Sequence, residues 1–138
     1  MGISKKIKNY FQRKKRLKNQ FDHSIPNLSE YNPKNKSIIF VNDSLPTHDK
    51  DSGSNRLKEI IITFKERNFN CIICTNNTYR DDKYSNYYIN LGIIVYVETN
   101  QFRNYFEFLK TIPKIDFVWH YSPDTFKKNY KIIKNIAP

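Results

Sequence analysis

The sequence predicts an α/β fold in which a parallel sheet of about four strands is covered by helices on both faces. Two observations carry this prediction. From residue 37 onward, short runs of β-branched and aromatic residues alternate with longer segments that place apolar residues at helical spacing. The 138 residues are also about the length of one domain, so all these elements belong to a single core.

The first three predicted elements span residues 37–75. Residues 37–43 read S-I-I-F-V-N-D, a continuous apolar run that is typical of a parallel strand buried on both faces. Residues 55–68 form an amphipathic helix, and residues 69–75 form the second strand. The inward face of this helix consists of Leu57, Ile60, Ile61 and Phe64.

The same alternation continues through the middle of the chain. Residues 82–91 form a helix that stops at Gly92, since glycine readily adopts the left-handed conformation that ends many helices. Residues 93–98 form the third strand. Residues 101–110 form the next helix, which is bounded by Pro113.

A fourth strand and a last helix complete the pattern. Residues 115–120 form the strand, and residues 124–135 form the helix, whose predicted buried stripe is Phe126, Tyr130 and Ile133. Four strand-helix units in succession predict a Rossmann-like sheet with right-handed crossovers.

Residues 1–36 form a separate predicted segment ahead of a body that spans residues 37–138. The segment holds ten basic and two acidic side chains of the 24 and 13 in the chain, so the body is only mildly basic. The apolar residues of 3–21 fall roughly on one helical face, and residues 1–18 contain no acid. Such a basic amphipathic helix can lie on an anionic membrane through residues 1–21, or it can pack against the body.

Composition excludes several functional classes. No apolar run approaches the roughly 20 residues of a membrane span, and the N-terminus lacks the apolar stretch of a secretory signal, so we expect a cytoplasmic protein. Cys71 and Cys74 have a spacing seen in some metal sites, but an offset of three places them on opposite faces of a strand. We therefore expect buried thiols and no metal site.

The loop after the first strand is the best candidate for binding a phosphate. Its D-K-D-S-G-S-N-R sequence places Ser52, Gly53, Ser54 and Arg56 at the start of a helix, whose free N–H groups and positive end favour an anion. Gly53 lets the backbone approach a ligand closely. A single glycine matches neither the dinucleotide-binding nor the P-loop pattern. In the alternative interpretation, Ser52 or Ser54 only caps the helix.

Two residues at strand ends are candidates for acid–base catalysis. The ligand crevice of a parallel sheet lies at the carboxyl ends of the strands, where His120 ends the fourth strand and Asp43 ends the first. Asp116 lies at the opposite end of its strand and does not pair with Asp43. An isolated histidine is, however, more often a packed or surface residue than a catalyst.

The order of short motifs along residues 37–138 resembles the N-terminal half of bacterial GT-B glycosyltransferases that build O-antigen and other cell-surface polysaccharides. The matching stretches are, in order, S-I-I-F-V-N-D-S-L-P, D-K-D-S-G-S-N-R, N-L-G-I-I-V-Y, F-x-F-L-K, D-F-V-W-H-Y-S-P-D and I-A-P. They cover only the first part of a catalytic region that is normally several times longer.

The resemblance implies an acceptor-binding domain, with a glycan or lipid-linked acceptor, whose partner is a separate C-terminal domain that holds most of the nucleotide-sugar donor. It implies that Gly53 and Ser54 face the donor diphosphate and that His120 faces the cleft between the domains. The nucleotide-sugar is a substrate, and no further cofactor is expected. One departure is the Y-S-P stretch after His120, where related enzymes often read S-R-P, so one cleft contact is expected to be missing.

The end of the sequence and the missing second domain limit what the chain can do alone. The sequence ends at N-I-A-P, where a fifth strand would be expected to begin, so we expect a truncated chain, the product of a broken gene, or one piece of a larger protein. Without the donor domain it is not expected to catalyse transfer, because the substrates react between two domains. The alternative is a non-catalytic Rossmann-like binding module whose basic tail contacts anionic membrane or nucleic acid, although the body lacks a recognisable nucleic-acid-binding motif.

Overall fold

The computed structural model describes residues 24–75 and 83–136, together with residues 7, 8 and 10. Among these residues, no helix combines the length and hydropathy that a membrane crossing requires. The predicted N-terminal helix lies mostly outside the described residues and stays a prediction. The elements are, in chain order, a 3-10 helix (Leu28–Glu30), β1 (Ser37–Val41), α1 (Ser52–Glu66), β2 (Asn70–Cys74), α2 (Lys83–Asn90), β3 (Ile94–Val95), α3 (Tyr105–Leu109), β4 (Phe117–His120) and α4 (Pro123–Ile136).

The four strands form one parallel sheet in the order β3-β2-β1-β4. β1 lies inside the sheet, where Ile39 pairs with Ile72 of β2 on one side and with Val118 of β4 on the other. The chain therefore crosses from one edge of the sheet to the other between β3 and β4. The prediction of a Rossmann-like α/β fold is confirmed.

Side chains of the sheet alternate between two hydrophobic layers, because successive residues of a strand point to opposite faces. The layer under α1 and α2 contains buried residues such as Phe40, Leu57, Ile61 and Tyr88. The layer under α3 and α4 contains Val41, Tyr105, Phe108 and Ile133. Cys71 belongs to the first layer and Cys74 to the second, as predicted from their spacing.

The start of α1 differs from the prediction, because the helix begins at Ser52 and not at residue 55. Its N-cap is Asp51, whose carboxylate accepts a hydrogen bond of 2.7 Å from the Ser54 N–H. An acidic N-cap satisfies a free N–H of the first turn and interacts favourably with the helix dipole. Ser52, Gly53 and Ser54 therefore form the first helical turn, and neither serine is the cap.

The segment between β3 and β4 contains less regular structure than predicted. β3 is only Ile94–Val95, and α3 is only Tyr105–Leu109 with Asn104 as its N-cap. In the loop before α3, Thr99 Oγ1 accepts a hydrogen bond of 3.0 Å from the Phe102 N–H. The Thr99 side chain thus binds the backbone of this loop directly.

The buried face of α4 also differs from the predicted stripe. Ile133 is buried, but Phe126 and Tyr130 are 44% and 39% exposed, so the prediction for these two residues is wrong. Thr125 and Asn129 are buried in their place. Burial of Asn129 is tolerated because its amide donates to the Thr125 carbonyl oxygen at 3.0 Å. The helix is therefore rotated away from its most apolar stripe.

Residues 24–36, which we call the strap, contact the body although their prolines and polar residues are typical of a linker. Ile25 is buried in the layer under α3 and α4. Asn27 Nδ2 donates to two carbonyl oxygens around the turn between α2 and β3, at 2.9 and 2.8 Å. Asn32 and Asn70 exchange two further hydrogen bonds. The strap thus covers the end of the sheet opposite to the predicted crevice.

Candidate functional site at the carboxyl edge of the sheet

The segments that follow β1 and β4 meet at the carboxyl edge of the sheet. Val41 pairs with His120, and the Tyr121 N–H donates to the Val41 carbonyl oxygen at 3.1 Å. The Tyr121 side chain lies over the first turn of α1, where a methyl group added to Gly53 would be 2.8 Å from the phenolic oxygen. The absence of a side chain at Gly53 therefore permits this close approach.

The first turn of α1 presents hydrogen-bond donors that suit an anion. Ser52 and Gly53 are exposed, and within the described part of the chain their N–H groups have no acceptor. Arg56 lies one helical turn further on the same side, is exposed, and pairs with no described residue. The helix dipole adds partial positive charge at this end.

The N-cap restricts where an anion could bind. Asp51 Oδ1 accepts from Ser54, and Oδ2 accepts a hydrogen bond of 2.9 Å from the Thr47 hydroxyl. The Ser54 N–H, followed by the Thr47 hydroxyl, holds the pKa of Asp51 below its usual range. The carboxylate is charged at neutral pH and repels a second anion from this side. The N–H of Ser54, one of the predicted phosphate contacts, is thus already used by the protein itself.

The loop between β1 and α1 contacts α2 through hydrogen bonds and ring stacking. Asp49 accepts hydrogen bonds from Lys83 Nζ at 2.7 Å and from the Tyr84 hydroxyl at 2.6 Å, and these bonds hold the pKa of Asp49 well below its usual range. His48 stacks on Tyr87 with 4.0 Å between ring centroids. The charged and aromatic residues of this loop therefore determine its shape.

Asp43 follows β1 and faces α4. Its carboxylate lies 3.6 Å from Lys128 Nζ, and about half of the side chain is exposed, at 49%. The sequence predicts Asp43 at the strand end but not its partner Lys128, because the contact joins residues that are distant in the chain.

His120 also faces α4, but its surroundings are apolar. Its ring meets Phe126 edge-on with 5.1 Å between centroids. Its Nδ1 is buried and, within the described structure, has no hydrogen-bond partner. Burial lowers the pKa of His120, because desolvation disfavours the imidazolium form. The imidazole is therefore neutral at pH 7, and no described carboxylate holds it in a defined orientation.

The predicted site residues thus fall into two groups. Asp43 and His120 face α4, whereas Ser52, Gly53, Ser54 and Arg56 lie at the start of α1, which covers the other face of the sheet. The contact between Tyr121 and Gly53 was not predicted. The only signal was the Y-S-P stretch at residues 121–123, where the resemblance suggested S-R-P.

Metal binding has no support in the described residues. Within 24–75 and 83–136, no three His, Cys, Asp or Glu side chains converge in a way that could hold a metal ion. Cys71 and Cys74 are buried free thiols. Burial raises the pKa of Cys71 to about 12 and raises that of Cys74 as well, so neither is a thiolate at neutral pH.

Neither protein-family models, nor curated proteins, nor solved structures give a match to this chain. What the protein does is therefore inferred from its residues and their geometry.

Proposed function

We propose that this chain is the acceptor-side domain of a GT-B glycosyltransferase, which transfers a sugar from a nucleotide-sugar to a glycan or lipid-linked acceptor. The observation that carries the proposal is the first turn of α1, where the N–H groups of Ser52 and Gly53 and the guanidinium of Arg56 have no partner among the described residues. Such donors are the ones proteins use to bind phosphate oxygens. The motif resemblance supports the same site for the donor diphosphate.

We assign the role of general base to Asp43 and not to His120. A base must lie within hydrogen-bond reach of the acceptor hydroxyl, and Asp43 is half exposed at the carboxyl edge of the sheet. His120 points into apolar surroundings under α4. Because the sugar is transferred between two domains, this domain binds substrates but does not catalyse transfer alone.

We further propose that the protein acts in the cytoplasm, at the inner face of the plasma membrane. Lipid-linked acceptors lie at that surface, and the basic residues of 1–21 would be attracted to its anionic lipids.

Nuclear magnetic resonance titration of the labelled chain with uridine and guanosine diphosphate sugars tests the phosphate site. We expect the amide signals of Ser52 and Gly53 to shift together and to saturate. Arg56→Ala should weaken binding about tenfold, because it removes a charge-assisted hydrogen bond. The matched control is Arg67→Ala, at the other end of α1, which should leave the affinity unchanged.

Equal losses in the two arginine variants would show that the nucleotide-sugar is attracted only by the net charge of +11. The same would follow if the amide shifts were scattered over the basic surface. Titration with duplex DNA and with anionic vesicles tests the alternative. Binding to either of these, with a steep salt dependence and no response to nucleotide-sugars, would favour a non-catalytic binding module.

A further inference from the structure

The two edges of the sheet are covered to different extents. At one edge, β3 and its neighbours from Ile93 to Val97 are all buried. At the other edge, β4 pairs only with β1, and Phe117 and Trp119 are 49% and 39% exposed. Natural sheets usually protect an edge strand with charges, prolines or a covering element, because its free backbone groups can pair with another strand. β4 has apolar side chains instead.

The α4 side of this edge contains a cavity of about 230 Å³. Its lining residues are Val118, His120, Phe126, Tyr130, Ile133 and Lys134. The walls are mostly apolar. The exposed rings of Phe126 and Tyr130, whose centroids are 4.6 Å apart, extend these walls beyond β4. His120 contributes a buried Nδ1 that has no partner among the described residues. The cavity therefore offers room for one bulky side chain and one unpaired polar atom.

The charges around the cavity restrict its occupant. α4 carries four lysines and one acid, Asp124. Lys128 is paired with Asp43, but Lys127, Lys131 and Lys134 form no ion pair with any described residue. A second copy of this chain would bring two lysine-rich helices together, and their like charges would repel. Charge complementarity thus favours an acidic partner.

The outer backbone groups of β4 pair with no described strand, and this favours a polypeptide over a lipid surface as the partner. An incoming strand can pair with the outer N–H and C=O groups of β4, as in other cases of strand addition. Lipid tails cannot form those hydrogen bonds. Side chains of an added strand would alternate between the two faces of the sheet, so they would extend the apolar surface on both faces of β4.

We propose that β4 and α4 form a docking edge for an extended, acidic segment of another polypeptide, which adds to the sheet beside β4. One bulky side chain of the segment fills the cavity, and a hydroxyl group beside it pairs with His120 Nδ1. Acidic side chains of the segment face the three lysines of α4 that form no ion pair with a described residue. If a fifth strand follows residue 138 in a longer protein, that strand would occupy the same edge and would overturn the proposal.

The probe is a peptide that is selected from a random 12-residue display library for binding to the folded chain. We expect the enriched peptides to combine alternating apolar residues with Asp or Glu. Trp119 is the only tryptophan of the chain and lies on β4 itself, so its fluorescence reports coverage of the edge. Binding of a selected peptide should shift Trp119 emission to shorter wavelength and reduce its quenching by acrylamide. A proline placed at the centre of the peptide should abolish both effects.

Two matched variants on α4 test the location. Phe126→Glu puts a negative charge at the cavity and should weaken peptide binding at least tenfold. Ile132→Glu makes a comparable change at another exposed apolar residue, which does not line the cavity, and should alter binding less than twofold. Circular dichroism verifies that both variants are folded.

Any of four outcomes would overturn the proposal: a library that yields no binder, selected peptides without an acidic bias, equal effects of the two variants, or bound peptides that leave Trp119 fluorescence unchanged. Sedimentation equilibrium of the chain alone tests whether a second copy of the chain binds at this edge. A dimer that Phe126→Glu dissociates would identify a second copy as the occupant and would also overturn the proposal.

Discussion

At the scale of single residues, buried polar side chains connect segments that are far apart in the sequence. The side chain of Asn70 is buried at the start of β2. Its Oδ1 accepts from the Asn32 N–H at 2.9 Å, and its Nδ2 donates to the carbonyl oxygens of Asn32 and Asn35 at 2.8 and 3.1 Å. One amide group thus attaches the strap to the sheet.

Replacement of Asn70 by alanine should therefore be costly. The change leaves partly buried backbone groups of the strap without these partners, and we expect the free energy of unfolding to fall by about 1 to 2 kcal/mol. Asn55→Ala is the control, since this exposed asparagine on α1 forms no side-chain hydrogen bond with a described residue and should change stability by less than about 0.5 kcal/mol. Urea denaturation measures both. Similar values for the two variants would contradict the role of Asn70.

The two cysteines provide a second prediction at this scale. Because burial raises the pKa of Cys71 to about 12 and also raises that of Cys74, both thiols are protonated and shielded in the folded protein. Neither should react with a thiol reagent at pH 8, and both should react once urea unfolds the chain. Rapid reaction of either thiol in the native protein would show that the sheet opens there.

At the scale of elements, the N-cap of α1 determines both where the helix starts and which N–H groups stay free. Asp51 takes the Ser54 N–H, so those of Ser52 and Gly53 are left for a ligand. The same carboxylate fixes Thr47 at the end of the preceding loop.

Substitution of Asp51 should affect stability in a pH-dependent way. Asp51→Ala should reduce the folding equilibrium constant about fivefold at pH 7. The pKa of Asp51 is lowered in the folded state, mainly by the Ser54 N–H. Its contribution is therefore fully present above the unfolded pKa of about 3.9, and it is lost as the pH falls through the folded pKa.

Asp51→Asn separates capping from charge. Asparagine is an effective N-cap, so this variant should keep most of its stability at pH 7 but should lose less stability than the parent protein on acidification. Thermal unfolding between pH 2 and pH 7 measures the difference. Identical pH profiles for the parent and the asparagine variant would show that the carboxylate charge has no part in the cap.

At the scale of the whole molecule, the sheet is well covered at β3 and open at β4. The strap closes the end opposite to the carboxyl edge, and α1 to α4 cover the two faces. β4 is the one strand of the described sheet whose residues are all partly or fully exposed.

This asymmetry predicts unequal protection from hydrogen exchange. Amides of β1 and β2 lie between two hydrophobic layers and should exchange only through global unfolding. Amides of β4 should exchange faster, because opening of this edge exposes less apolar surface. Exchange followed by nuclear magnetic resonance measures both sets. Protection of β4 equal to that of β1 would contradict the assignment of a weak edge.

The sequence alone was sufficient for the order and type of the four strands and four helices between residues 37 and 136, because each follows from spacing among near neighbours in the chain. The apolar run at the first strand and the helical spacing of Leu57 and Ile61 required no knowledge of the rest of the molecule. The opposite faces of Cys71 and Cys74 follow from strand geometry in the same way. Asp43 and His120 could be located at strand ends for the same reason.

Only the tertiary structure determined which side of each element is covered and which polar groups remain free. Phe126 and Tyr130 have the spacing of a buried stripe, yet they are exposed because the described sheet ends at β4 and leaves nothing beyond it to cover them. The contact between Gly53 and Tyr121 likewise depends on β4 lying next to β1. Local periodicity reports what a segment could bury, whereas the number and order of strands decide what it does bury.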